Sequence, residues 1–498
     1  MEKEKKMKKL MFLTAVLMML TGTALSDTVN VDDTVTYQQI DGFGASYTES
    51  AAYLVENMGS TARQTLVNNL FGSSGIRLSV LRQPMGSSDF AIAEHYTYDD
   101  MPQGQTDYNL NNFSINNDLA YIIPAILDAK AANSNLKVIG VPWSAPAWMK
   151  TNGSLYNGGS LINSDQIYDT YSDYFVRFKD AYAAQGISIW AVSLGNEPGY
   201  GPSNYPGMIM STADQIRLAK ALGPKIGSAK IQIYDHNWDN SSYPISVLSD
   251  SQANQYIDGA AFHCYGGDVS AQTTVHDAHP DKDIYFTECT ASLSGDPEGD
   301  FIWCMENIVI GTLRNWATTV IEWNMALDDT GGPKIAGGCE SCKGIVTISG
   351  SSVTYEPEYY AFGHASKFVD TDAYRIYSDH SSTVAFRNPD NSIVLVLCNS
   401  QTISVNYDVN WNGQSFSYNV PARSATTFTW PDVSGATVNV WLTKGDQSIQ
   451  LEQQANTSFG GGGSYCGDGT CDSGEDQCNC SADCGTPPST ETGLCTDG

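Results

Sequence analysis

The sequence predicts an α/β chain: a (β/α)8 barrel carrying an attached antiparallel β-sandwich and a small disulfide-rich C-terminal module. Three observations predict it. Between Asp41 and Trp323 eight apolar runs occur, each but the last followed by enough chain for a helix. Beyond about residue 366 the runs become short and alternating, divided by Asn, Asp, Gly, Pro and Ser. Six of the twelve cysteines crowd into the tail behind the run Gly460–Gly463.

The chain opens with a targeting pattern over residues 1–26. Lys3, Lys5, Lys6, Lys8 and Lys9 precede an apolar run from Leu10 to Leu20, and Ala24-Leu25-Ser26 places small residues where a signal peptidase reads. The run is too short to cross a bilayer comfortably and no later stretch is long enough, so a secreted protein without stable membrane insertion is expected. Residues 27–40 include the strand-like stretch Val29–Tyr37, which is expected to pair with the sandwich.

Residues 41–366 form the expected barrel. Its strand candidates are Asp41–Tyr47, Ile76–Leu81, Leu136–Trp143, Ile187–Leu194, Ile231–Tyr234, Ile257–Tyr265, Asp283–Glu288 and Thr319–Trp323. Several are apolar on both faces, as parallel strands buried under helices must be. The clearest helix carries Ile167, Tyr171, Tyr174, Phe175, Phe178 and Ala181 on one stripe, with Ser164 as a cap and Gly186 past its end. A doubly wound open sheet fits less well, because no Gly-rich phosphate turn follows the first strand.

Residues 367–445 form the expected sandwich, with runs at Tyr374–Tyr377, Thr383–Arg387, Ile393–Leu397, Ile403–Val409, Ser415–Val420, Ala425–Trp430 and Thr437–Leu442. Residues 446–464 read as a flexible Gly-rich linker. Residues 465–498 are too few to fold on apolar burial, so disulfides are expected to staple them. The tail has acidic side chains and no Lys or Arg. Calcium among Asp468, Asp472, Glu475 and Asp483 is the weaker reading, since their order matches no EF-hand loop.

Composition narrows the partner. With 55 acidic against 26 basic side chains the chain has no means of neutralising phosphates, which argues against nucleic acid. The abundance of Tyr and Trp suits neutral sugar rings, which stack on aromatic faces, so a polysaccharide or oligosaccharide is the expected partner. Nothing in the pattern calls for an oligomer, and a monomer is expected.

Chemistry in a barrel sits where strands end on the C-terminal face. Glu197, in Gly195-Asn196-Glu197-Pro198, and Glu288, closing Asp283–Glu288, follow the fourth and seventh strand candidates. Those strands lie on opposite sides of the mouth, so the two carboxylates can face each other across a substrate. Glycoside hydrolysis needs that pair: an acid for the leaving oxygen and a second carboxylate beneath the anomeric carbon.

Several separated motifs resemble glycoside hydrolase family 30. They are Asp41-Gly42-Phe43-Gly44-Ala45-Ser46, the stretch Leu81 to Phe90, Trp143 to Lys150, Asn196-Glu197-Pro198, Phe262-His263-Cys264-Tyr265, Thr287-Glu288-Cys289 and Glu322-Trp323-Asn324. The resemblance runs from about Ile40 to Trp430. It implies a barrel with a sandwich built from both chain ends, retention of anomeric configuration, Glu197 as acid/base and Glu288 as nucleophile. Asp89, Trp143, Asn196, His263, Tyr265, Trp323 and Asn324 are then the candidate substrate-binding residues, with Arg82 and Trp148 supporting them. Within the family, the segments Asn324–Pro333 and Gly337–Thr347 look most like the β-1,6-glucanase branch. A glucosylceramidase-like or other β-glucosidase or β-xylosidase activity is the alternative, and a non-catalytic glycan-binding protein is the reading from another class.

Cys339-Glu340-Ser341-Cys342 has redox-motif spacing but is expected to be a loop disulfide in an exported chain. Cys289 adjoins Glu288 but points to the other face of the strand and reads as structural. The remaining body cysteines, Cys264, Cys304 and Cys398, are plausible disulfide partners. No metal-spaced cluster of His, Asp and Glu is evident in the barrel sequence, and neither metal nor cofactor is expected.

Overall fold

The computed structural model describes residues 26–445, 451–454 and 456–459. Most of the predicted leader and all of the cysteine-rich module, with its calcium reading, lie outside the described residues. Strand β1 (Ser26–Gln39) belongs to the sandwich, and it already begins at Ser26, the last residue assigned to the leader.

Eight parallel strands close the barrel: β2 (Gly42–Ser46), β3 (Val80–Pro84), β4 (Lys137–Val141), β5 (Ala191–Ser193), β6 (Lys230–Asn237), β7 (Gly259–His263), β8 (Asp283–Glu288) and, after the two-residue β9 (Ala291–Ser292), β10 (Ala317–Asn324). β10 closes the ring against β2, from Thr319 beside Gly42 to Asn324 beside Ser46. Gly44 permits the close approach of β2 to β3: a Cβ there would lie 1.7 Å from the Val80 carbonyl oxygen. β3 starts four residues later than the apolar run Ile76–Leu81 predicts. Arg77 turns the chain with φ of 58°, and the strand instead runs on through Arg82, Gln83 and Pro84. The predicted helix spans Asp165–Ala184 and buries its aromatic stripe. Ser164 occupies the cap position, although its side chain accepts no capping bond.

After β10 come β11 (Ala326–Leu327), β12 (Cys342–Lys343), which pairs with β9, and the hairpin β13 (Val346–Ser349) and β14 (Ser352–Tyr355). The sandwich follows as β15 (Tyr374–Ser378), β16 (Thr383–Arg387), β17 (Ile393–Asn399), β18 (Val405–Trp411), β19 (Gln414–Val420), β20 (Ser424–Trp430) and β21 (Thr437–Lys444). β1 lies between β18, to which it runs parallel, and β15, to which it runs antiparallel. Both ends of the described chain therefore build this domain.

The linker is shorter than the composition implies. β22 (Glu452–Gln453) and β23 (Thr457–Ser458) both pair with β21, and Phe459 packs against Trp411, Phe416 and Trp430 in the sandwich core. Arg314, at the foot of the barrel, ties the two domains by donating to the carbonyls of Ser378, His380 and Thr383.

Among the described residues two disulfides form, Cys264–Cys289 and the loop bond Cys339–Cys342. Cys304 and Cys398 do not follow the export expectation: both are buried free thiols. Among the described residues no helix is long and apolar enough to cross a membrane.

Candidate active site

The C-terminal mouth of the barrel holds a cavity of about 450 Å³ lined by Asp89, Trp143, Asn196, Glu197, Tyr265, Glu288 and Trp323, among others. Two glutamates from the fourth and seventh barrel strands meet in it. Glu197 follows β5 in a left-handed conformation, φ 44°, which a non-glycine residue adopts only when its surroundings hold it. They do: its N–H donates to the Asp235 carbonyl at 3.0 Å, and the N–H of Asn196 donates to Pro142 at 2.9 Å. Glu288 ends β8, where its carbonyl accepts from Cys264 N–H and the Cys264–Cys289 disulfide fastens the next residue to β7.

A buried charged cluster lies beneath them. Arg82, fully buried, donates to Glu288 Oε2 at 2.5 Å, to Asn196 Oδ1 at 2.6 Å and to Asp235 Oδ2 at 3.1 Å. His263 Nε2 lies 3.1 Å from Asp235 Oδ1, while its Nδ1 lies 3.2 Å from Glu197 Oε1 and 3.8 Å from Glu288 Oε1. One ring nitrogen thus stands between the two carboxylates. Their separation cannot exceed those two distances laid end to end. That limit covers the roughly 5–5.5 Å of retaining glycosidases and reaches only the lower edge of the roughly 6.5–9.5 Å of inverting ones.

Electrostatics follow from this packing. Burial alone would drive the proton off His263, but Glu288, Asp235 and Glu197 overcome it and raise the imidazole to about 9. Burial would raise Glu197, yet the neighbouring imidazoles of His236 and His263 hold it down at about 2. Asp235 is also lowered, because Arg82 and His263 outweigh its burial. Glu288 is raised by burial, against the pull of His263 and Arg82. Asp89 is raised to about 7, first by burial and then by the charge of Glu288.

The aromatic walls stand where the strand ends place them. Trp143 and Trp323 stack at 5.0 Å, with the Arg82 guanidinium 5.1 and 5.5 Å from their centroids. The Tyr265 hydroxyl donates to Glu288 Oε1 at 3.1 Å while the residue stays 45% exposed at the mouth. Gly338 lies tight against Asp89, and the Cys339–Cys342 disulfide lines the cavity beside it.

Three candidates do not line the cavity. His263 is fully buried under the carboxylates, so it supports them rather than lining the cavity. Asn324 is fully buried too: the register shift between Glu322 and Asn324 turns it toward Thr48, whose hydroxyl lies 2.9 Å from Asn324 Oδ1. Trp148 sits off the cavity, its indole N–H donating to the Asp99 carbonyl and its ring edge-on to Tyr108.

Sequence reasoning missed Asp235, His236, Tyr200 and Tyr205. Tyr200 and Tyr205 line the mouth from the loop after Glu197. Asp235 and His236 end β6, where Tyr234 and Asp235 take φ of 69° and 56° and the register with β7 shifts. That bulge lets two consecutive side chains face the same site, which a regular strand forbids. It also brings Glu197, His236 and His263 together as a group whose ligand-type atoms all lie within 4.8 Å of one another, a grouping that could hold a metal ion and that the sequence reading did not find.

Closed barrel, appended sandwich and paired carboxylates at the mouth define a glycoside hydrolase. The chain belongs to glycosyl hydrolase family 30: its TIM-barrel domain matches residues 40–369 and its β-sandwich domain residues 366–428. The chain is 32% identical to the endo-1,6-beta-D-glucanase neg1 of Aspergillus fumigatus over 81% of this chain and 88% of that one. It is 30% identical to the lysosomal acid glucosylceramidase of Mus musculus over 82% and 84%. Among solved structures, the endo-beta1,6-glucanase BT3312 superposes with a TM-score of 0.76 at 32% identity, covering 82% of this chain and 95% of the other.

Proposed function

We propose that the chain is a secreted retaining β-glycoside hydrolase that cleaves β-1,6-glucan, with Glu288 as nucleophile and Glu197 as acid/base. The observation that carries the mechanism is the single imidazole nitrogen 3.2 and 3.8 Å from the two carboxylates, which confines their separation to the retaining range or the lower edge of the inverting one. Support for the substrate comes from the similarity to endo-1,6-β-glucanases, which covers the barrel and sandwich alike. The glucosylceramidase similarity is nearly as strong, so identity alone does not separate the branches.

In the first step Glu288 attacks C1 of the sugar held against Trp143 and Trp323, while Glu197 delivers a proton to the leaving oxygen. The proton reaches Glu197 Oε1 from His263 Nδ1, and Asp235 behind Nε2 steadies the ring. In the second step Glu197 takes a proton from water, which hydrolyses the glycosyl-enzyme ester, and passes it back to His263 Nδ1. Arg82 and Tyr265 hold the two oxygens of Glu288 in place throughout. Asp89, beside the same wall, accepts from hydroxyls of the terminal sugar, and Asn196 engages the 2-OH.

The test compares products from β-1,6-glucan, β-1,3-glucan, xylan and glucosylceramide. Gentiobiose or gentio-oligosaccharides from the first are expected; glucose from glucosylceramide with none from β-1,6-glucan would move the assignment to the sister branch. Azide separates the two glutamates. Glu197→Gln should yield the β-glycosyl azide through the trapped intermediate, and Glu288→Gly the α-azide by direct attack. The opposite anomers would exchange the roles.

A further inference from the structure

We propose that Glu197, His236 and His263 form a binding site for a divalent transition-metal ion of the zinc and copper class, which blocks the catalytic pocket reversibly. The three residues come from three neighbouring strand ends, after β5, on β6 and on β7. Glu197 Oε1 lies 3.2 Å from His263 Nδ1 and 3.5 Å from His236 Nδ1. Tetrahedral ligands at about 2.0–2.2 Å from a zinc ion stand roughly 3.3–3.6 Å apart, so both distances suit one shared ion, and all three ligand atoms lie within 4.8 Å of one another.

The nitrogens are presented as ligands. His236 Nδ1 is buried and has no hydrogen-bond partner. His263 gives its Nε2–H to Asp235, which leaves the Nδ1 lone pair facing the site once the Nδ1 proton is displaced. Asp235 is in turn fixed by Arg82 and by the Thr287 hydroxyl at 2.7 Å. A carboxylate behind a ligating imidazole is the arrangement that orients and strengthens metal-bound histidines.

Two nitrogens and one carboxylate oxygen suit zinc or copper; calcium and magnesium prefer oxygen alone. Glu197 lines the cavity at the mouth, from which water or a sugar hydroxyl can complete the shell. An ion there occupies the atoms between which Glu197 receives its proton. The predicted loss of activity rests on the acid/base role proposed for Glu197, whereas binding itself does not.

The experiment adds Cu²⁺ to the full chain and reads ligation by electron paramagnetic resonance. Two imidazole nitrogens are expected in the superhyperfine pattern, displaced by Zn²⁺. His236→Gln should reduce the count to one nitrogen and weaken binding at least ten-fold. Glu197→Gln, which leaves both imidazoles in place, should keep two nitrogens with weaker binding. Copper bound with a pattern unchanged in His236→Gln, or no imidazole-bound copper at millimolar metal, would overturn the proposal. Should His236→Gln fail to fold, the nitrogen count in the intact chain and in Glu197→Gln decides. Metal bound as described without loss of hydrolysis would leave the site standing and count against the acid/base role of Glu197.

Discussion

Replacing Arg82 by Lys keeps its charge but removes its shape, and replacing it by Met removes both. The guanidinium reaches Glu288, Asn196 and Asp235 at once, with hydrogen bonds of 2.5, 2.6 and 3.1 Å, from a site with no solvent exposure. A lysine ammonium on a shorter stem can satisfy one or two of these acceptors. Each lost bond to a charged partner is worth about 1.5–3 kcal/mol, so Arg82→Lys should lower unfolding free energy by roughly 2–5 kcal/mol. Arg82→Met leaves Asp235 and Glu288 without their main counter-charge, a change of the kind that costs roughly 3–5 kcal/mol for a broken buried pair. Denaturant unfolding measures these losses, and hydrolysis of an aryl β-glycoside measures the site. Losing the fork should cut kcat by about 10²–10³ in Arg82→Lys, because Glu288, the proposed nucleophile, is no longer held in line. The acid limb of the pH profile should stay in place in that variant. In Arg82→Met it should move to higher pH, since the guanidinium no longer opposes the burial that raises Glu288. An acid limb unmoved in Arg82→Met would refute the charge argument, and full activity in Arg82→Lys would refute the geometric one.

Other regions give sharper stability tests. The Cys264–Cys289 bond joins residues 25 apart, and removing it as Cys264→Ala/Cys289→Ala should cost about 3.5 kcal/mol in denaturant unfolding; Cys339–Cys342, 3 apart, should cost about 2 kcal/mol. Asp118 accepts from the hydroxyls of Tyr96, Tyr98 and Tyr182 and is pushed by burial from 3.8 to about 6. The folded chain therefore keeps a proton that the unfolded chain releases, and stability should fall by roughly 3 kcal/mol as pH climbs from about 4 to 6, a slope that Asp118→Asn abolishes in calorimetry at stepped pH. Phe459→Ala should cost about 3–5 kcal/mol by chemical unfolding because it empties a sandwich-core site, whereas deleting residues 460–498 should leave kcat on a soluble substrate unchanged.

The sequence is legible where one residue type has one physical use. Alternating and continuous apolar runs locate strands because burial needs apolar atoms, and glutamates placed after such runs fall at the barrel mouth. It is illegible where backbone geometry reassigns a face. Asp235 and His236 follow the apolar part of β6 and read as the start of a loop, and nothing in Tyr234 or Asp235 announces a positive φ, since neither is glycine. Asn324 shows the reverse error: it follows Trp323 at a strand end, but a shift in register buries it against Thr48. The segment after Gly445 fails differently. The polar composition of residues 446–464 masks their one aromatic residue, Phe459, which packs among three aromatic rings of the sandwich.

One of these illegible residues, Asp235, sets the charge of the site. Arg82 and His263 oppose three carboxylates, those of Asp235, Glu197 and Glu288, so the pocket is left with more negative than positive groups. Such an excess does little for a neutral sugar in its ground state. A glycosidic transition state, however, develops positive charge at the ring oxygen and C1, and a buried negative field stabilises that charge more strongly than water does. Asp235 is the member that lies farthest from the cavity, yet it holds both Arg82 and His263. Were it absent, the two cations would face two glutamates and the excess would vanish. The bulge in β6 therefore does more than bring His236 to the rim: by turning consecutive side chains inward it supplies the charge that makes the pocket complementary to an oxocarbenium-like state rather than to the sugar itself.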